Sequence, residues 1–169
     1  MPGDTDLTKY FTLNERLIEQ GLMSEDISEG QRFEDIELPT PWEQYAEVRV
    51  TDEINELYAF SLDDDNPWYS GDGALVHPIA LVQLGTRPVL KQFPVSVPEG
   101  ESSLHAKMEV EFLRPAMVGV LYREEGRLSE KYARRGRRYL VTEGRFLDEG
   151  GDEVLRYRHV RMVGSEPSA

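Results

Sequence analysis

The chain has 169 residues, 39% hydrophobic and 30% charged, with 19 Lys plus Arg against 32 Asp plus Glu and a net charge of −13. Those values describe one globular domain with room for a substantial core. They exclude a disordered chain and argue against a nucleic-acid partner, which needs accumulated cations. Cysteine is absent, so disulfides and thiol nucleophiles are excluded, and no run of eighteen apolar residues or charged-then-apolar leader occurs; the expectation is a cytoplasmic protein with no membrane span and no signal peptide.

Residues 1–6 are polar and expected to fray. Thr12-Leu13-Asn14-Glu15 has capping-box spacing, and Leu13, Leu17 and Ile18 form one apolar face, which predicts a short helix ending at Gly21. Glu25 to Thr40 is acidic and ends in Leu38-Pro39-Thr40-Pro41, an extended connection. Leu22, Met23, Ile27, Phe33 and Ile36 need a surface to pack on, so residues 1–44 read as a helical and extended lead-in lying on the main domain, 45–164, with 165–169 as a tail. Tyr45 to Val50 alternates as a first strand.

Thr51 is suited to cap a helix whose first turn carries Asp52 and Glu53, with Ile54, Leu57, Tyr58 and Ser61 at helical spacing. That helix must stop at Asp63-Asp64-Asp65-Asn66-Pro67, because Asn-Pro initiates a turn. Three adjacent carboxylates repel one another, and tucking one away raises its pKa, a common route to a general base or acid. The other reading of this cluster is a solvated acidic turn. After the flexible connection Ser70 to Gly73, Pro78 suits the first position of a helix that is apolar nearly all round and therefore buried. His77 then stands at that helix entrance, where backbone N–H groups favour an anion or a polarised carbonyl oxygen; the alternative is a capping or packing histidine.

Downstream the pattern turns to strands. Leu104, Ala106, Met108, Val110 and Phe112 alternate with His105, Lys107, Glu109 and Glu111, one dry face and one wet. Arg114-Pro115 breaks that strand, Val118, Val120 and Tyr122 begin the next, and Tyr139 to Leu147 and Glu153 to Met162 flank the turn Asp148 to Asp152. Lys131, Arg134, Arg135, Arg137 and Arg138 lie within eight positions, a positive patch that reads either as a solvated hairpin or as a receptor for a CoA or carrier-protein phosphate. His77, His105 and His159 lack ligand spacing, so no metal is expected.

Asp64-Asp65-Asn66-Pro67-Trp68-Tyr69 resembles the D-x-N-P-x-H signature of the MaoC-like, or hydratase-2, group of hot-dog proteins, with Tyr58 in the place of an aromatic that precedes it. Val76-His77-Pro78 is similar to the A-H-G that opens the central helix there. The variant nearest this chain is the FAS1-like dehydratase N-terminal branch, which includes non-catalytic subunits of 3-hydroxyacyl-ACP dehydratases. Glu111 to Pro115, Val118-Gly119 and the Tyr132, Arg135, Gly136, Arg137, Tyr139 pattern extend the likeness over roughly residues 45–163.

The resemblance implies an α+β hot-dog fold, an antiparallel sheet wrapped around a central helix, with an N-terminal helical extension. It implies hydration of an enoyl thioester, or the reverse dehydration, on acyl-CoA or acyl-ACP, with no cofactor beyond the CoA or phosphopantetheine the substrate carries. It also implies a homodimer, or a heterodimer with another hot-dog subunit. Asp64 matches the family carboxylate. The family histidine is Tyr69 here, a phenol that is a weak base but can donate; the family glycine whose N–H faces the thioester oxygen is Pro78, which has none. The expected catalytic set is therefore Asp64 with His77 or Tyr69. Asn66, Trp68, Pro78, Ile79, Arg134, Arg135 and Arg137 are expected to bind substrate, Ile79 offering its N–H if the loop shifts. The two departures keep a second function open, a non-catalytic subunit that binds the acyl chain beside a catalytic MaoC-like partner. A third is a hot-dog thioesterase.

Overall fold

The computed structural model describes residues 30–84, 93–97, 99 and 101–165. The helix expected near Thr12 lies outside those residues. The chain folds as an α+β hot dog: a five-stranded antiparallel sheet, β1 (Glu43–Arg49), β2 (Ser103–Phe112), β3 (Leu121–Arg134), β4 (Arg137–Leu147) and β5 (Glu153–Ser165), in the order β1-β3-β4-β5-β2. Among the described residues two α-helices accompany it, α1 (Asp52–Ser61) and α2, which opens at Pro78 and is described over 78–84.

α2 buries the face that carries Ala80, Leu81 and Leu84, while Gln83 faces solvent. Ala80, Leu81 and Leu84 are at most 1% exposed and pack with Val48, Tyr122, Phe146 and Leu155 from four strands. Ile79 departs from the all-round burial expected of this helix and is 42% exposed in the single chain. A second apolar cluster, Ile36, Val95, Leu128, Leu140 and Val163 with Phe33, Leu38 and Phe93 against it, gathers further along the same face of the sheet. Phe33 and Ile36 therefore find the surface their sequence demanded. Lys131 fastens that segment, donating to the carbonyls of Phe33, Glu34 and Ile36 at 2.7–3.0 Å.

The alternation read in β2 does not survive intact. A bulge between His105 and Lys107 inserts one residue, and each such insertion exchanges the faces of everything beyond it. Met108 and Val110 keep the face toward α2, but Leu104 pairs with Met162 on the outer face and is 55% exposed. His105, expected on the wet face, is exposed and stacks on buried His159, ring nitrogens 2.8 Å apart.

The concave face also holds a buried carboxyl. Tyr122, Glu124, Gly126 and Leu128 alternate inward, and Glu124 is 0% exposed. Tyr157 donates to Glu124 Oε1 at 2.8 Å and shares a 2.8 Å hydrogen bond with Tyr45. Desolvation drives the Glu124 carboxyl well above the usual carboxylate range, more than the tyrosine hydrogen bonds lower it.

Candidate functional site

The site forms where α1 doubles back. Thr51 caps α1, its hydroxyl accepting from the Ile54 N–H, as expected from the sequence. Past Leu62, Asp63 takes φ +54°, and the Asp64 N–H returns to the Ala59 carbonyl at 2.9 Å. Asp64 Oδ1 then accepts from the Asn66 N–H at 3.0 Å, and Asn66 Oδ1 from the Trp68 N–H at 3.1 Å, two successive side-chain turns ending in a short 3₁₀ turn, Pro67–Tyr69. The connection through Gly71 and Gly73 is tied down by hydrogen bonds, Ala74 to Gly71 and Leu75 to Trp68. Residues 74–76 then pair with 116–118, which aims the chain into α2.

This path brings Asp64, Tyr69 and His77 together. Asp64 Oδ2 lies 3.4 Å from His77 Nε2, and the Tyr69 and His77 rings stand 4.8 Å apart, inclined by 58°. His77 is 5% exposed, whereas the Asp64 side chain is 36% exposed and flanked by exposed Asp63 and Asp65, so the carboxylate faces solvent and the imidazole is buried beside it. His77 Nδ1 accepts from the Ile79 N–H at 3.2 Å. In the neutral ring the proton then sits on Nε2, the nitrogen nearer Asp64.

The backbone donors at the helix entrance are all engaged. The His77 N–H goes to Asn55 Oδ1, Pro78 has none, the Ile79 N–H goes to the His77 ring, and the Ala80 and Leu81 N–H groups reach the His77 carbonyl. Ile79 therefore does not offer its N–H to a ligand in this arrangement, and the donors left at the helix entrance are side-chain groups. The Asn66 side-chain oxygen is engaged in its turn, while Trp68 is 66% exposed beside the site.

The basic hairpin is elsewhere. β3 begins beside the 116–118 loop that pairs with residues 74–76 and ends at Arg134, so at about 3.3 Å per residue the tip stands roughly 40 Å along the strand from Leu121. Arg134, Arg135 and Arg137 thus stand away from Asp64 of their own chain; long strands carry them toward the opposite end of the sheet. Arg137 bonds Ser165 Oγ at 2.7 Å, Arg138 pairs with Glu34, and Lys131 is spent on carbonyls, so the patch is partly consumed by the fold.

Two residues escaped sequence reasoning. Asn55, 1% exposed, holds the site from behind, and its only sequence signal was a polar residue beside Ile54 on the buried face of α1. Glu124 carried a clearer one, a carboxylate in inward register between Tyr122 and Leu128.

No family model matches the chain, and no curated protein sequence does. Solved structures do match. A MaoC-like dehydratase from Rhodospirillum rubrum aligns with a TM-score of 0.63 at 16% identity, covering 82% of this chain and 100% of its own. An R-hydratase from Pseudomonas aeruginosa gives 0.62 at 17%, covering 79% and 85%, and a 3R-hydroxyacyl-ACP dehydratase complex from Mycobacterium tuberculosis gives 0.60 at 13%, covering 75% and 98%. The architecture is the hot dog of the MaoC-like proteins. Among the described residues no helix is long and apolar enough to cross a membrane.

Proposed function

We propose that the protein is a MaoC-like enoyl-thioester hydratase or 3-hydroxyacyl-thioester dehydratase acting on an acyl-CoA or acyl-ACP. The observation that carries this reading is the 3.4 Å approach of Asp64 Oδ2 to His77 Nε2, with the Tyr69 ring against the imidazole. In the hydration direction Asp64, whose Oδ2 lies 3.4 Å from His77 Nε2, takes a proton from water as the water oxygen bonds to the β-carbon. The electron pair of the double bond moves to the α-carbon and the thioester carbonyl. The Tyr69 hydroxyl donates to that carbonyl oxygen, the task a backbone N–H cannot perform here, and protonated Asp64 returns its proton to the α-carbon. One water is added and Asp64 is regenerated. No cofactor enters beyond the CoA or phosphopantetheine of the substrate.

A second reading, a non-catalytic subunit paired with a catalytic hot-dog chain, is favoured by the engaged N–H groups at 77–81 and by Pro78. Exposed Trp68 and Ile79 beside the site and Phe112 on the edge strand β2 suit a second hot-dog chain, as in the mycobacterial complex. Purified protein with crotonyl-CoA decides between them. Loss of the enoyl absorbance that Asp64→Asn abolishes and Tyr69→Phe lowers supports the enzyme. Absence of turnover, with a second hot-dog chain co-purifying from the native host, supports the subunit.

A further inference from the structure

Asn55 sits mid-helix in α1, 22 residues before His77, and its amide spans the three segments that make the site. Oδ1 accepts from the His77 N–H at 2.6 Å; Nδ2 donates to the Tyr69 carbonyl at 2.8 Å and the Leu75 carbonyl at 3.0 Å. The orientation of the amide is unambiguous, because its acceptor faces an N–H and its donors face two carbonyls. All three partners are backbone groups flanking or belonging to Tyr69 and His77. Removing the amide leaves a donor and two acceptors buried without partners, so the site cannot keep its spacing cheaply.

We propose that Asn55 is the positioning residue of the site: its amide sets the separation of Tyr69 from His77 and, through the same His77 N–H bond, withholds that N–H from any ligand. The second half rests on the hydratase reading above; the first half does not. Asparagine is required by this pattern. Aspartate, of the same shape, keeps the acceptor for His77 but sets an oxygen against the Tyr69 and Leu75 carbonyls, which forces the 3₁₀ turn away from the helix entrance.

The test uses the full chain with labelled aromatic and histidine rings. In the wild type the His77 amide exchanges slowly with solvent and the Tyr69 and His77 rings share a nuclear Overhauser contact. Asn55→Asp loses the ring contact while far-UV circular dichroism keeps its sheet signature, and kcat falls about 100-fold with KM nearly unchanged, as expected for a misplaced reacting group. Retention of the ring contact and of kcat in Asn55→Asp overturns the proposal, as does a wild-type His77 amide exchanging as freely as an exposed one. Should Asn55→Asp fail to fold, the ring contact in Asn55→Ser and the wild-type exchange rate decide the question in the same way. A wild type without turnover sinks the hydratase reading alone; the ring contact still tests Asn55.

Discussion

The Tyr157 ring occupies the space where Gly144 has no side chain. A Cβ built at Gly144 overlaps Cζ, Oη and Cε1 of that ring, and one built at Gly126 overlaps the Tyr45 ring in the same way. The two glycines let both phenols lie flat on the sheet and reach Glu124. Gly144→Ala is therefore expected to destabilise the fold by about 1–3 kcal/mol through overpacking. Denaturant midpoints check this, and the cost should shrink in a Tyr157→Leu background, where the ring is gone.

Glu124 makes stability depend on pH in a stated direction. Its folded pKa is raised above the ordinary 4.5, so the folded protein holds a proton the unfolded chain releases. At low pH both states are protonated and no penalty exists; as pH rises above the unfolded value, stability falls until the folded pKa is passed, at up to about 1.4 kcal/mol per pH unit. Glu124→Gln keeps acceptors for the tyrosines and removes the titration. The variant should gain on the wild type steadily as pH rises from 4.5, and unfolding free energies measured across that window at constant salt would refute the burial argument by running parallel.

Lys131 caps three carbonyls of the 33–36 segment, and its ammonium lies 5.6 Å from the Phe33 ring centroid. Lys131→Met keeps the stem and deletes the donors. A loss of about 1–3 kcal/mol follows, with faster protease cleavage within residues 30–42, read by limited digestion and mass spectrometry.

Pro78 offers the most direct probe of the chemistry. Replacing it with glycine restores an N–H at the first position of α2, where the amides on either side are already engaged. If the site is a hydratase hampered by a missing oxyanion donor, Pro78→Gly should raise kcat on crotonyl-CoA by about 10–100-fold, at a cost of about 1 kcal/mol in stability from the freer unfolded chain. Unchanged turnover would show that the Tyr69 hydroxyl alone suffices, or that the site does no chemistry when wild-type turnover is also nil.

What the sequence by itself determined were features whose cause spans a few residues. The Thr51 cap, the stop at Asp63 to Pro67, the opening of α2 at Pro78 and the burial of Ala80, Leu81 and Leu84 depend on i to i+4 relations, and all stand in the structure. What only the tertiary structure decided were features set by closure over long separations. The bulge in β2 has no local mark, yet it sent Leu104 outward and set exposed His105 on His159, 54 residues away. Asn55 became a hub because three later segments converge on it, and the basic hairpin stands away from Asp64 because β3 is 14 residues long. Local propensity reads one strand or helix at a time; a bulge or a buried amide is chosen by which partner strand or backbone group arrives opposite, and that is known only when the sheet has closed.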